Sequence, residues 1–117
     1  MGCLTTHILD TANGRPAAGV AIVLYAVDAD GGLTSLASAT TNNDGRCDEP
    51  ILEGDDFRPG TYELRFRVGA YFGDDGCSGG PAFLDVVPVR FGISVADEHY
   101  HVPLLISPFG YSIYRGS

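Results

Sequence analysis

The chain is 117 residues long, the size of one domain that buries a core without covalent staples. Its 44% hydrophobic and 19% charged residues, 16 Gly and 7 Pro describe a folded, turn-rich protein and exclude a disordered one. Seven Lys plus Arg against fifteen Asp plus Glu leave a formal charge of −8, which offers no general attraction to nucleic-acid phosphates or anionic lipid. Cys3, Cys47 and Cys77 have neither CxxC nor Cys/His spacing, which argues against a disulfide framework and a structural zinc site.

No apolar run approaches the roughly 18 residues of a spanning helix, and no basic-then-apolar leader opens the chain. The expectation is therefore a single soluble, cytoplasmic domain over 1–117, with neither nucleic acid nor membrane as partner. "MGCLTT" does satisfy the loose myristoylation rule through Gly2 and Thr6. Two constraints in six residues recur by chance, however, and the strand beginning at "TTHIL" buries such a start, so the chain is read as unlipidated.

"LTTHILD" reads as a strand, and "TANGRPAAG" after it is a cluster of turn formers containing Asn13 and Gly14. "VAIVLYAVD" is a β-branched run ended by "ADGG", and "LTSLASATTN" follows with Ser/Thr alternation. In "NNDGR", Asp44 and Gly45 form a tight-turn signal that leaves Arg46 at the turn exit. The acidic stretch 42–60 is read as a solvated loop face.

"TYELRFRV" has the clearest period of two: Tyr62, Leu64, Phe66 and Val68 face one way, and Glu63, Arg65 and Arg67 the other. The acidic pair Asp74 and Asp75 lacks the spacing of a calcium loop and is read as a solvated turn. "DVVPVRFGISV" is another strand, with Val87, Val89, Phe91, Ile93 and Val95 on one face and Pro88 marking an edge or irregular position. Short strands, turn signals every ten residues or so and no helix-forming run predict an all-β antiparallel sandwich.

"EHYHVPLL" sets His99 and His101 two residues apart, on one face of an extended strand with Cα atoms about 7 Å apart. Three readings stand side by side. Each imidazole could simply hydrogen-bond at a strand edge. The pair could hold a divalent ion, which would need further ligands that sequence does not place. Or it could do acid–base chemistry, with Arg46 supplying charge to an anionic substrate.

Taken together, "THILDTANGRPAAGV", "NNDGR", "HYHVPLLISPFGYS" and the terminal "YRGS" resemble the transthyretin-related 5-hydroxyisourate hydrolases over nearly the whole chain. The resemblance implies an immunoglobulin-like, transthyretin-type (prealbumin) β-sandwich of about seven or eight strands with at most one short helix. That helix follows "YF" in relatives, and four Gly and a Pro in "GDDGCSGGPAFLD" predict it shortened or lost here.

Also implied is a homotetramer, a dimer of dimers whose central channel holds the active sites, with no cofactor or metal. The activity implied is hydrolysis of 5-hydroxyisourate to 2-oxo-4-hydroxy-4-carboxy-5-ureidoimidazoline, on the route from urate to allantoin. The family's catalytic residues fall on His7, Arg46 and His101, and its substrate-binding residues on Tyr114, Arg115, Gly116 and Ser117. His99 is not among them.

Within that resemblance His101 is expected to be the general base toward water, with His7 orienting it or passing the proton. Arg46, and Arg115 beside it, are expected to hold the polarised carbonyls. Two other classes compete. One is a carrier of small hydrophobic molecules, as transthyretin is; the charged and imidazole lining argues against it. The other is a structural immunoglobulin-like module, which fold analogy alone does not establish.

Overall fold

The structure, a computed structural model, describes residues 2–73 and 81–116. Two sheets pack face to face. One has β1 (Cys3–Asp10), β2 (Arg15–Pro16), β5 (Leu52–Glu53), β8 (Tyr100–Ser107) and β9 (Gly110–Ile113). The other runs in the order β4 (Leu33–Thr40), β3 (Ala21–Val27), β6 (Gly60–Phe66), β7 (Val87–Ile93). All strand pairs are antiparallel except β1 with β8, which run parallel with Thr5 opposite His101 and His7 opposite Pro103.

Alternation decides what each strand buries. In β1, Leu4, Thr6, Ile8 and Asp10 face the core while Cys3, Thr5, His7 and Leu9 stay partly open. β8 keeps the same parity, with Tyr100, Val102, Leu104 and Ile106 inside and His101 outside. Leu24, Leu64 and Phe66 meet them from the second sheet, all fully buried. The free edge of β1 is covered piecewise: β5 pairs at Leu4, Arg46 bridges to His7, and β2 pairs at Leu9.

The turns follow the glycines expected of them. Gly14 and Gly45 take φ of +68° and +74°, a region open to Gly at no steric cost. Pro88 lies in β7, an edge strand, where its missing N–H costs no ladder bond. Gly2 is packed beneath the turn that follows β7: its N–H donates to the Ala96 carbonyl at 3.1 Å, and the Phe57 ring closes over it. In this fold the residue that a myristoyl chain would modify is buried.

Two local readings are corrected. "TYELRFRV" does not continue as a strand to Val68; β6 ends at Phe66 and α1 (Val68–Phe72) begins at once. The helical turn folds Val68 into the core and lays Gly69 against Asp85, where an added Cβ would come within 2.8 Å of the Asp85 Cα. One short helix is thus present and ends on Tyr71 and Phe72, while most of the segment after it, where the helix of relatives is expected shortened or lost, lies with Asp74, Asp75 and Cys77 outside the described residues. Val95 falls beyond β7 and is exposed.

Glu63 is buried by its neighbours rather than by the core. It points away from the core, as its parity requires, yet only 5% of it is exposed. Arg65 donates Nε–H to Oε2 at 2.7 Å and Arg90 donates Nε–H to Oε1 at 3.0 Å, so the two guanidinium stems roof the carboxylate. Arg65 also stacks over the Tyr25 ring at 4.8 Å. The Arg65 hydrogen bond, assisted by that from Arg90, holds the Glu63 carboxyl below the usual range against the opposing effect of burial.

A depressed carboxylate pKa stabilises the fold above the unfolded value of about 4.3, and the contribution disappears as pH falls through the lower folded value. Glu63→Gln should cost about 2 kcal/mol at neutral pH, the usual worth of charge-assisted hydrogen bonds. Urea unfolding at neutral and at strongly acidic pH tests this: the gap between the two proteins should close in acid.

Candidate active site

The loop that carries Arg46 is built around Asn42. The Asn42 Oδ1 accepts from the N–H groups of Asp44 and Arg46 at 2.9 and 3.2 Å, and its Nδ2 donates to Asp48 at 2.9 Å. Gly45 then seats the loop on β1: Ile8 N–H donates to its carbonyl at 2.8 Å, and a side chain at Gly45 would strike the Ile8 carbonyl. The result is a one-residue bridge between Arg46 and His7. Among the described residues the Arg46 guanidinium has no hydrogen-bond or ion-pair partner and stands open to solvent.

His7 Nε2 lies 3.0 Å from the Asp44 carbonyl oxygen, which only accepts, so Nε2 carries the hydrogen and Nδ1 the lone pair. Burial, then the Arg46 charge, holds the His7 pKa below the ordinary histidine value. His101 is lowered by the same two causes in the same order, with His99 and His7 adding to them. Both rings are therefore neutral at neutral pH, the state in which an imidazole accepts a proton.

His101 Nδ1 lies 2.8 Å from Thr5 Oγ1, and His99 Nε2 lies 2.8 Å from the same oxygen. His99 precedes β8, and its ring centroid is 6.1 Å from that of His101. Thr5, Arg46, His99 and His101 line a cleft of about 410 Å³, shared with Cys47, Asp48 and Glu49. Burial and then the Asp48 carboxylate push the Cys47 thiol up, so it stays protonated and is a poor nucleophile. Among the described residues no three His, Cys, Asp or Glu side chains converge as a metal-ligand set.

The segment 114–117 divides. Gly116 N–H donates to the His101 carbonyl at 2.8 Å, and a Cβ there would stand 2.8 Å from His101 Cδ2 and 3.1 Å from Pro103 Cγ. Only glycine lets the chain pass this close. Arg115 turns away from the cleft: its guanidinium lies 4.0 Å over the Tyr100 ring and donates to Glu98 Oε1 at 3.1 Å. Tyr114 and Arg115 line a neighbouring opening of about 300 Å³ between the edges of β7 and β9. Ser117 lies outside the described residues.

His7, Arg46, His101 and the Gly116 backbone thus come together on the outer face of one sheet, and the side chains of Tyr114 and Arg115 do not join them. No hydrogen bond joins His7 to His101; the hydroxyl that holds His101 belongs to Thr5. Sequence reasoning passed over Thr5, although it shares the outward parity of His7 in β1. What sequence did not show is the parallel register that sets Thr5 opposite His101.

The sequence and the sandwich have known counterparts. The profile of the HIUase/Transthyretin family matches residues 4–116. The chain is 57% identical to the 5-hydroxyisourate hydrolase of Pseudomonas aeruginosa over 118 residues, covering 100% of this chain and 93% of that one. Among solved structures it resembles Klebsiella pneumoniae 5-hydroxyisourate hydrolase, with a TM-score of 0.80 and 34% identity across 100% of both chains. It also resembles Sparus aurata transthyretin, with a TM-score of 0.85 and 32% identity over 97% of this chain and 95% of that one. Sandwich and sequence agree along the whole described chain, and the protein belongs to the HIUase/transthyretin family.

Proposed function

We infer that this chain is a hydrolase that opens the ring amide of 5-hydroxyisourate to give 2-oxo-4-hydroxy-4-carboxy-5-ureidoimidazoline, between urate and allantoin. The observation that supports it best is the gathering of two neutral imidazoles and an unpaired guanidinium on one sheet face. Hydrolysis of an amide needs a base for water and a stabiliser for the oxyanion. His101 takes the proton of the attacking water, and its electron pair frees the oxygen to bond the carbonyl carbon. Arg46 donates hydrogen bonds to the carbonyl oxygen as charge builds there, its planar fork suiting a flat, carbonyl-rich ring. His7, with a lone pair on Nδ1, orients the water or passes its proton on to the departing ring nitrogen.

The working protein is a homotetramer, a dimer of dimers. Its support is an exposed aromatic surface at one end of the sandwich, where Phe83 and Phe109 are 73% and 77% exposed with ring centroids 5.8 Å apart, together with the open edges of β7 and β9. In that assembly Tyr114 and Arg115 meet substrate held by a facing subunit. The partly exposed free thiols of Cys3 and Cys47 suit the cytoplasm, and no helix among the described residues is long and apolar enough to cross a membrane.

The first test is the decay of freshly made 5-hydroxyisourate, followed by ultraviolet absorbance. The chain should accelerate it well above the spontaneous rate, before and after chelator treatment. A rate equal to buffer would favour a carrier of the transthyretin kind, and loss to chelator would bring back a metal reading. His101→Asn and His7→Asn should each lower turnover about a hundredfold or more, the usual worth of a positioned acid or base.

The pH profile offers an independent check. Because the histidine values are lowered, the base form survives in mild acid, and the acid limb of kcat/KM should lie below the free value of about 6.5. Arg46→Gln removes a named cause of both shifts, so the limb should move up toward 6.5 while the rate falls. A limb that stays in place in this variant would show that the charge of Arg46 does not reach the titrating base.

Gly116→Ala should leave the sandwich folded by circular dichroism but cut turnover by about tenfold or more, a misplacement effect. Its new methyl group displaces either the tail or the His101 ring. Full activity in this variant, or in a chain ending at Ile113, would remove the segment 114–117 from the site.

A further inference from the structure

Thr5 occupies the most constrained hydrogen-bonding position on the catalytic face. Its Oγ1 is 2.8 Å from His99 Nε2 and 2.8 Å from His101 Nδ1, with no further partner among the described residues. A hydroxyl has one proton to give, so the two ring nitrogens cannot both accept; at least one brings its own hydrogen. If both donate, the hydroxyl proton has no protein acceptor here. If His99 donates and Thr5 donates onward to His101 Nδ1, the hydrogen of neutral His101 sits on Nε2 and no lone pair is left for water. The third arrangement satisfies every group: His101 Nδ1–H donates to Thr5, and Thr5 donates to His99 Nε2.

We propose that Thr5 is a positioning residue that fixes His101 in the tautomer with a bare Nε2, with His99 as the acceptor that keeps the Thr5 proton turned away from His101. This deepens, and rests on, the reading of His101 as the base of a hydrolase. It resembles the orienting chain behind the histidine of a serine hydrolase, with a hydroxyl where a carboxylate would stand.

The difference has a chemical use. A carboxylate on Nδ1 would stabilise the imidazolium and raise the pKa, whereas a neutral hydroxyl orients the ring without adding charge. The groups facing His101 are Arg46 from the loop, Thr5 and His7 from β1, and His99 from the approach to β8. Asp48 and Glu49 line the same cleft, but the group on His101 Nδ1 is not an anion, and the charges that shift this ring are those of Arg46, His99 and His7. Behind His99, its carbonyl accepts a long contact from Arg115 at 3.4 Å, and Glu98 holds the same guanidinium, which steadies the acceptor end of the chain.

Nitrogen-15 NMR of the imidazoles reads this without any substrate, and the chain has only three histidines to assign. At about pH 8, above the ordinary histidine value of about 6.5, His99 and His101 should both be Nδ1–H. His7, which donates to a carbonyl, should be Nε2–H and serves as the internal reference. Thr5→Val keeps the side-chain shape and should release His101 toward the Nε2–H form. It should also lower kcat about tenfold or more with KM changed less than about threefold, and Thr5→Ser should restore both readouts.

His101 found as Nε2–H in the unmodified protein, or full kcat in Thr5→Val, would overturn the proposal. An unmodified chain that leaves 5-hydroxyisourate untouched would instead remove the substrate reading, with the tautomer measurement still deciding the role of Thr5.

Discussion

The parallel pairing of β1 with β8 is the constraint on which the remainder of the site depends. Two strands distant in sequence run in the same direction, and their ladder sets Thr5 level with His101 and His7 level with Pro103. The other edge of β1 receives the Asn42-centred loop, which delivers Arg46 beside His7. The other side of β8 receives Gly116 through a backbone hydrogen bond to His101. Four chain segments thus meet across a strip of sheet, and each is held by main-chain bonds rather than by the imidazole and guanidinium groups. Those side chains remain available to a ligand.

Electrostatics at this strip run against the rest of the molecule. In a chain with a formal charge of −8, the Arg46 guanidinium stands, among the described residues, without a partner beside two imidazoles that burial and that same guanidinium keep neutral. Three other arginines are occupied: Arg65 and Arg90 roof Glu63, and Arg115 is shared between Glu98 and the face of Tyr100. The contrast sets these paired cations apart from Arg46, whose guanidinium is open to an anionic or polarised oxygen.

Much of this was legible before any coordinates. The period of two in β6 and β7, the glycines of the tight turns and Pro88 on an edge all follow from backbone sterics that act within a few residues. The roles of His7, Arg46 and His101 came from resemblance, and the fold brings all three to one face. Long-range partners were illegible. Nothing local to Glu63 reveals that Arg90, 27 residues away, will help bury it. Thr5 and His101 are 96 residues apart. Likewise, the helical turn that follows β6 packs Gly69 against Asp85, a contact that the local period of two does not reveal.

The division of labour within β1 has an evolutionary corollary. Its even-numbered residues, Leu4 to Asp10, belong to the core, and Thr5 and His7 between them belong to the outer face that carries the candidate site. Substitutions at odd positions can therefore retune ligand chemistry while folding free energy stays nearly constant, and the same scaffold can be handed to a different ligand by editing one face. Insertion or deletion is another matter. Because strand parity is binary, gaining or losing a single residue inside β1 would turn the histidine inward and the leucine outward together, dismantling the candidate site and the core in one event. Lineages of this sandwich should accordingly vary in β1 by exchange of residues, and change length only in the loops on either side.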